Sequence, residues 1–167
     1  MSAETPLARA AAVARFVELQ AVTLASANLT SAIDPMSPPE RLDVANKYRT
    51  RQELRSGEMD RVYVYVDFEF EATEPVGDAS RSVVKLVAEF QLVYLLQREA
   101  TYPDGALEDF ARLNGTYNSW PYWRELVQTV TGRVGLAGIL VPVWRPQQTA
   151  TPASHRVTPV AEAVKPD

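Results

Sequence analysis

A chain of 167 residues that is 46% hydrophobic and 23% charged has the composition of a folded soluble domain, and its length is enough for one core. The formal net charge of −4 leaves no basic surplus to neutralise phosphates, which argues against nucleic acid as a partner. The absence of cysteine removes disulfide frameworks, thiolate metal sites and cysteine nucleophiles together.

The first fourteen residues are rich in Ala and open with Ser2-Ala3-Glu4-Thr5-Pro6, so an arm or a frayed helix is expected over 1–14. Arg15 and Glu18 cut the apolar run short of a signal-peptide core, so a cytoplasmic N-terminus is expected. No uncharged apolar run of about 18 residues is present, so no membrane insertion is expected either. Phe16 to Leu29, mostly Val, Leu, Thr, Ala and Ser with no charged face at helical spacing, predicts a first strand. Pro35, Pro38 and Pro39 mark a connection with room for one helical turn after Ser37.

Tyr48, Thr50, Gln52 and Leu54 then alternate with Lys47, Arg49, Arg51, Glu53 and Arg55, the pattern of a strand near a solvated edge. Ser56-Gly57-Glu58 supplies a turn. Val62, Val64, Val66, Phe68 and Phe70 fall on one face of the next strand, opposite Tyr63, Tyr65, Asp67, Glu69 and Glu71. After a turn at Pro75/Gly77/Asp78, residues 81–98 predict a second long strand, apolar on both faces in its second half, which needs cover on both sides. From Asp104 the period becomes helical, with Leu107, Phe110, Ala111 and Leu113; Asn114-Gly115 predicts a break, and a second helix is expected from Pro121 to the glycines at 135 and 138. Residues 146–167 contain repeated prolines among Ala, Thr and Gln and predict a disordered tail after a domain over 15–145. Several antiparallel strands followed by a helical segment describe an α+β domain.

The run Trp120-Pro121-Tyr122-Trp123-Arg124-Glu125-Leu126-Val127, followed by Thr131-Gly132-Arg133-Val134-Gly135-Leu136 and Leu140-Val141-Pro142-Val143, resembles the SecB export-chaperone family. Its members carry an aromatic-Pro-Tyr-x-Arg-Glu helix start, a glycine near the helix end and a Leu-x-Pro-Val-type exit. With the strand order upstream, the resemblance spans Phe16 to Arg145. It implies a four-stranded antiparallel sheet with a long helix packed at an oligomer interface, that helix carrying Trp120, Pro121, Tyr122, Arg124, Glu125, Leu126 and Val130. It also implies a homotetramer, a dimer of dimers, that holds unfolded polypeptide clients in surface grooves without nucleotide. The chain departs from the family in three respects: its first strand, its exit segment and its carboxy-terminal end. Ser26 and Thr30 stand where its first strand carries acidic groups that dock the motor SecA, which puts that docking in doubt. Ala137-Gly138 replaces a proline, and Trp144-Arg145 replaces Asn-Phe. The family's carboxy-terminal helix gives way to the proline-rich tail.

The amphipathic and apolar residues Phe16, Leu19, Tyr48, Tyr63, Tyr65, Tyr94 and Trp144 are the candidates for a client-binding groove, since apolar bodies with polar tips tolerate both water and varied clients. Asp67, Glu69, Glu71 and Glu89 make either a solvated sheet face or an acidic face for a basic partner. Arg124 and Glu125 are adjacent in a helix and read as structural. The single histidine, His155, falls in the tail, so no His-based triad or metal site is expected, and no cofactor is implied. Gly132, Gly135 and Gly138 follow a helix and do not form a phosphate loop. A non-enzymatic, ATP-independent holdase is the first expectation, acting in export or for a dedicated client such as an antitoxin. The alternative is an oligomeric adaptor for one folded partner.

Overall fold

Along Asp60–Val76 every second side chain from Val62 to Ala72 is buried, while Tyr63, Tyr65, Asp67, Glu69 and Glu71 between them are half-buried. That period of two is what a strand covered on one face requires, and each fully buried Val or Phe contributes about 1.5–3 kcal/mol. A computed structural model describes residues 5–97, 100–136, 139–146 and 155–157 of the chain. Within them, α1 (Pro6–Ala14) precedes four long strands, β1 (Val17–Ser31), β2 (Leu42–Arg55), β3 (Asp60–Val76) and β4 (Ala79–Leu96). A helical rod follows: α2 (Ala106–Phe110), a wide π-type turn over Ala111–Gly115, and α3 (Thr116–Arg133). A short β5 (His155–Val157) completes the described chain.

The sheet is antiparallel throughout, in the order β1-β4-β3-β2-β5. The β3–β4 hairpin closes at Gly77, whose φ of 60° lies where a Cβ is disfavoured. On one face of the sheet Val64, Phe68, Phe70, Leu86, Leu92 and their neighbours pack under the helical rod to form the core. The ring of Trp123 stacks flat on Phe68, centroids 5.0 Å apart and planes 9° from parallel, and its Nε1 donates to Asn46 Oδ1 at 3.3 Å.

Two sequence expectations are corrected and a third is narrowed. Asn114-Gly115 does not break the helix. A Cβ at Gly115 would meet Val64 Cγ1 at 2.5 Å, so glycine serves here to bring the helix backbone down onto β3. Pro121 accordingly lies inside α3 and not in a first turn; its ring nitrogen cannot donate to the Tyr117 carbonyl, and the wide turn sits just before it. Of the arm or frayed helix expected at the start of the chain, a helix is present from Pro6 onward, and it is docked: Thr5 Oγ1 caps it by accepting from Ala8 N, and Ala10 and Val13 are buried. Arg9 pairs with the buried Asp109 of α2 at 2.6 Å.

Residues 1–4, 98–99, 147–154 and 158–167 lie outside the described residues, as does the Ala137-Gly138 pair. Inside the expected tail, however, His155–Val157 pairs antiparallel with Leu42–Val44. The proline-free window between Pro152 and Pro159 permits that pairing, and the open edge of β2 supplies the partners.

Candidate functional site

The sheet gives the candidate side chains their positions, and it divides them between two faces. On the helix side of β2, Trp144 Nε1 donates to the Tyr48 hydroxyl at 3.1 Å. Tyr48 in turn meets Trp120 edge-on at 6.1 Å and Phe68 at 6.1 Å, and both Tyr48 and Trp144 are half-buried. Tyr117, 64% exposed, lies 6.4 Å from Trp144. Leu140 and Val143, 62% and 67% exposed, belong to the same exit segment. Tyr48, Trp144 and Tyr117 thus make an aromatic surface beside the β2 edge, and the exposed Leu140 and Val143 extend the apolar exposure along the same exit segment, the kind of exposure that marks a contact site.

The family-like motif builds this surface by clamping the exit segment. Trp120 Nε1 donates to the Pro142 carbonyl at 2.8 Å and Arg124 Nε to the Val141 carbonyl at 2.7 Å, one helical turn apart on α3. Ile139 and Val141 are consequently buried while Leu140 and Val143 point out. Glu125 accepts from Thr129 Oγ1 on the exposed side of α3. Leu126 and Val130 pack on the core's margin, and Tyr122, half exposed, lies over Phe90.

On the opposite face, Tyr63 and Tyr65 lie beneath guanidinium groups: Arg55 stands 4.1 Å over Tyr63 and Arg51 3.6 Å over Tyr65. They share no surface with Tyr48 and Trp144. The acidic residues beside them are not a bare acidic face. Arg49 pairs with Asp67 at 2.7 Å, Arg51 with Glu89, and both Lys47 and Lys85 with Glu69. Glu89 holds the Arg51 guanidinium above its ordinary pKa, first through their hydrogen bond. Register explains the neutralisation: β2 places its basic residues directly across from β3 carboxylates, as in Arg49↔Asp67 and Lys47↔Glu69. Glu71 stands opposite Lys85 in the same way.

Tyr94 leaves the groove set altogether. It is buried, its hydroxyl accepts from Asn118 Nδ2 at 3.0 Å, and its ring meets Phe110 edge-on at 4.9 Å; burial pushes its phenol up to about 12. The alternation that assigns it to β4 also assigns it to the face under the helix. Phe16 is half-buried beneath Arg15, and Leu19 opens a different apolar strip. Leu19, Leu24 and Leu29 stand opposite Tyr94, Phe90 and Leu86, and so lie on the helix side of the sheet, where each stays partly exposed. Irregularities after Leu19 and after Leu24 each insert one residue, which is how unevenly spaced leucines reach one face. Ser26 and Thr30 pair with Glu89 and Lys85 and therefore lie on the outer, charged face.

Sequence reasoning passes over Tyr117, Leu140 and Val143. Tyr117 follows the supposed break at Asn114-Gly115, and the two exit residues sit in a segment without regular structure; only the alternation Ile139/Val141 against Leu140/Val143 carries a signal.

No protein-family model and no curated protein matches the chain. Among solved structures, the Mycobacterium tuberculosis Rv1957 SecB-like chaperone, in complex with a ChAD peptide from the Rv1956 HigA1 antitoxin, superposes with a TM-score of 0.63. The match is 16% identical, covering 84% of this chain and 99% of that one. The fold is SecB-like. The four long strands and the Ala106–Arg133 rod are the elements that the resemblance implied. Among the described residues no helix is long and apolar enough to cross a membrane, and no group of three or more His, Asp or Glu side chains is placed to hold a metal.

Proposed function

We propose that this chain is a SecB-like holdase: a non-enzymatic, ATP-independent cytoplasmic chaperone that binds unfolded or non-native polypeptide and serves a dedicated client, such as an antitoxin. The observation that carries the reading is the open aromatic surface of Tyr48, Trp144 and Tyr117 with the exposed Leu140 and Val143 of the same exit segment, on a fold shared with a chaperone whose structure contains an antitoxin peptide. Such a surface acts by burying a client's exposed apolar residues, at about 25 cal/mol per Å² removed from water. Binding the unfolded state lowers its free concentration and slows aggregation by mass action, so no energy source is required. Tyr and Trp suit varied clients because they give large contact area for few rotatable bonds.

The assembly in this reading is a homotetramer, a dimer of dimers. Leu19, Leu24 and Leu29, with Tyr122 beside them, leave an apolar strip on the helix side of β1 that a second copy would cover. Service to one client fits better than export, because Ser26 and Thr30 add no carboxylate to the outer face of β1.

The test is aggregation of two unrelated denatured proteins, followed by light scattering with stoichiometric amounts of the chain and no nucleotide. Tyr117→Ser/Leu140→Ser/Val143→Ser should lose most of the protection while keeping its circular dichroism spectrum. Tyr63→Ser/Tyr65→Ser, on the other face, should keep it. Protection that survives the first variant and fails in the second moves the site to the charged face. Binding of one native partner alone, with no protection of either denatured protein, replaces the holdase by an adaptor.

A further inference from the structure

The outer face of the sheet, away from the helical rod, falls into two halves. Toward the β3–β4 turn its rows are charged and paired across the strands. Toward the β2–β3 turn, β3 and β4 carry aromatic and apolar side chains instead: Val93 stands beside Tyr63 and Gln91 beside Tyr65, and Ala21 of β1 continues the Val93 row. Met59, in that turn, is 50% exposed. With Leu95 and Leu96 it lines an open depression of about 250 Å³ at the end of the sheet.

The two tyrosines of this half are not bare. The Arg51 guanidinium carbon lies 3.6 Å from the centre of the Tyr65 ring, a contact that only a group lying on the ring face can make. Arg51 is rooted on β2 directly across from Tyr65 of β3, and its far end is tied to Glu89 of β4. Its side chain therefore crosses β3 as a strap over the ring. Arg55 lies 4.1 Å over Tyr63, fixed by two hydrogen bonds to Glu53 of 2.8 and 2.9 Å. The Tyr65 hydroxyl accepts from Arg55 and from Gln91, each at 3.4 Å, so both its ring and its polar tip are engaged.

We propose that the outer face carries a second apolar surface, centred on Tyr63 and Tyr65, that Arg51 and Arg55 keep closed, so that the chain offers unfolded polypeptide one face of its sheet only. A planar, weakly hydrated guanidinium covers an aromatic ring better than an ammonium does, and its methylene stem covers apolar surface beside it. The choice of cation along β2 follows that rule: Lys47 stands across from Glu69, whereas arginine lies over each ring. The carboxylates fix where the guanidiniums lie, and the rings beneath them are thereby withheld from other apolar groups. On the helix side, Tyr117 and Val143 stay open. The inference goes beyond the holdase reading, because closure is a property of the outer face whether or not the other face binds clients.

The experiment uses the full chain and Nile red, an uncharged apolar dye whose uptake does not depend on the charges being removed. Arg51→Ser/Arg55→Ser should keep its circular dichroism spectrum and bind the dye about three- to tenfold more tightly than the parent. Adding Tyr63→Ser/Tyr65→Ser should abolish the gain. Arg51→Lys/Arg55→Lys keeps both charges without the planar stack, so it should show a smaller gain, and it decides the matter if the serine variant does not fold. Opening the straps in the Tyr117→Ser/Leu140→Ser/Val143→Ser background should return binding of a reduced, carboxymethylated polypeptide. No gain in dye binding by either folded arginine variant, or a gain that persists without the tyrosines, overturns the proposal. So does a parent that binds the polypeptide while the opened triple variant does not. If the parent itself binds none, the holdase reading falls and the dye measurement still decides whether the face is closed.

Discussion

Gly115 lies against Val64 so closely that a β-carbon would stand 2.5 Å from Val64 Cγ1. The helical rod and the sheet are therefore joined at a point where only a hydrogen atom fits, and the wide turn over Ala111–Gly115 is where that approach occurs. Gly115→Ala should lower stability by about 1–3 kcal/mol, because the Val64 side chain and the helix must move apart. Gly132→Ala, near the end of α3 with open space around its Cα, should be neutral or stabilising by up to about 1 kcal/mol. Urea unfolding midpoints of the two variants check the contrast.

The clamp on the exit segment gives a second prediction. Arg124→Ala removes the donor to the Val141 carbonyl and should cost about 1–3 kcal/mol, since that carbonyl belongs to a buried residue. Limited proteolysis should then cut between residues 139 and 146 sooner than in the parent chain. Arg124→Lys should rescue only in part, because a point ammonium does not reproduce the planar guanidinium fork.

How much of this was legible beforehand depends on which contact sets each feature. β3 and β4 were readable because one face is buried and the other wet, so Val62 through Phe70 state their own register. The helix boundary was not readable: glycine after asparagine is the ordinary mark of a break, and nothing local says that Gly115 answers to Val64 some fifty residues earlier. The strip on β1 was hidden by its bulges, which shift Leu24 and Leu29 out of simple alternation. The acidic row at Asp67, Glu69 and Glu89 was visible as residues, but its neutralisation depends on cross-strand register with Arg49, Lys47 and Arg51. Tyr48 and Trp144 were both named from sequence; that they touch follows from the exit segment folding back over α3.

Tyr94 supplies a pH dependence with a definite sign. Its folded pKa, near 12 because of burial, stands above the ordinary 10.0. Its contribution is thus fully present below pH 10 and is lost as pH rises from about 10 to about 12, where the unfolded chain gives up the proton first. Two pKa units correspond to roughly 2–3 kcal/mol. Tyr94→Phe should lose about 1 kcal/mol at pH 8 through the missing Asn118 bond. Its stability should then fall less steeply than the parent's between pH 10 and pH 12, measured by denaturant titration at each pH.

The uncovered strip on β1 predicts the assembly. Leu24→Glu, at a position 47% exposed in the single chain, should leave the monomer folded and reduce the mass measured by multi-angle light scattering, because a charge buried at an interface without a partner opposes association. A parent mass at the 18.5 kDa of one chain, at every concentration tried, would remove the oligomer from the account.

The central claim is that this chain holds unfolded polypeptide, and the most direct measurement is a complex with a protein that cannot fold. A reduced, carboxymethylated polypeptide, titrated against the full chain and followed by native mass spectrometry, should give discrete complexes without nucleotide, and Tyr117→Ser/Leu140→Ser/Val143→Ser should give markedly fewer. Absence of any complex with several such polypeptides, from a chain shown to be folded, would contradict the account.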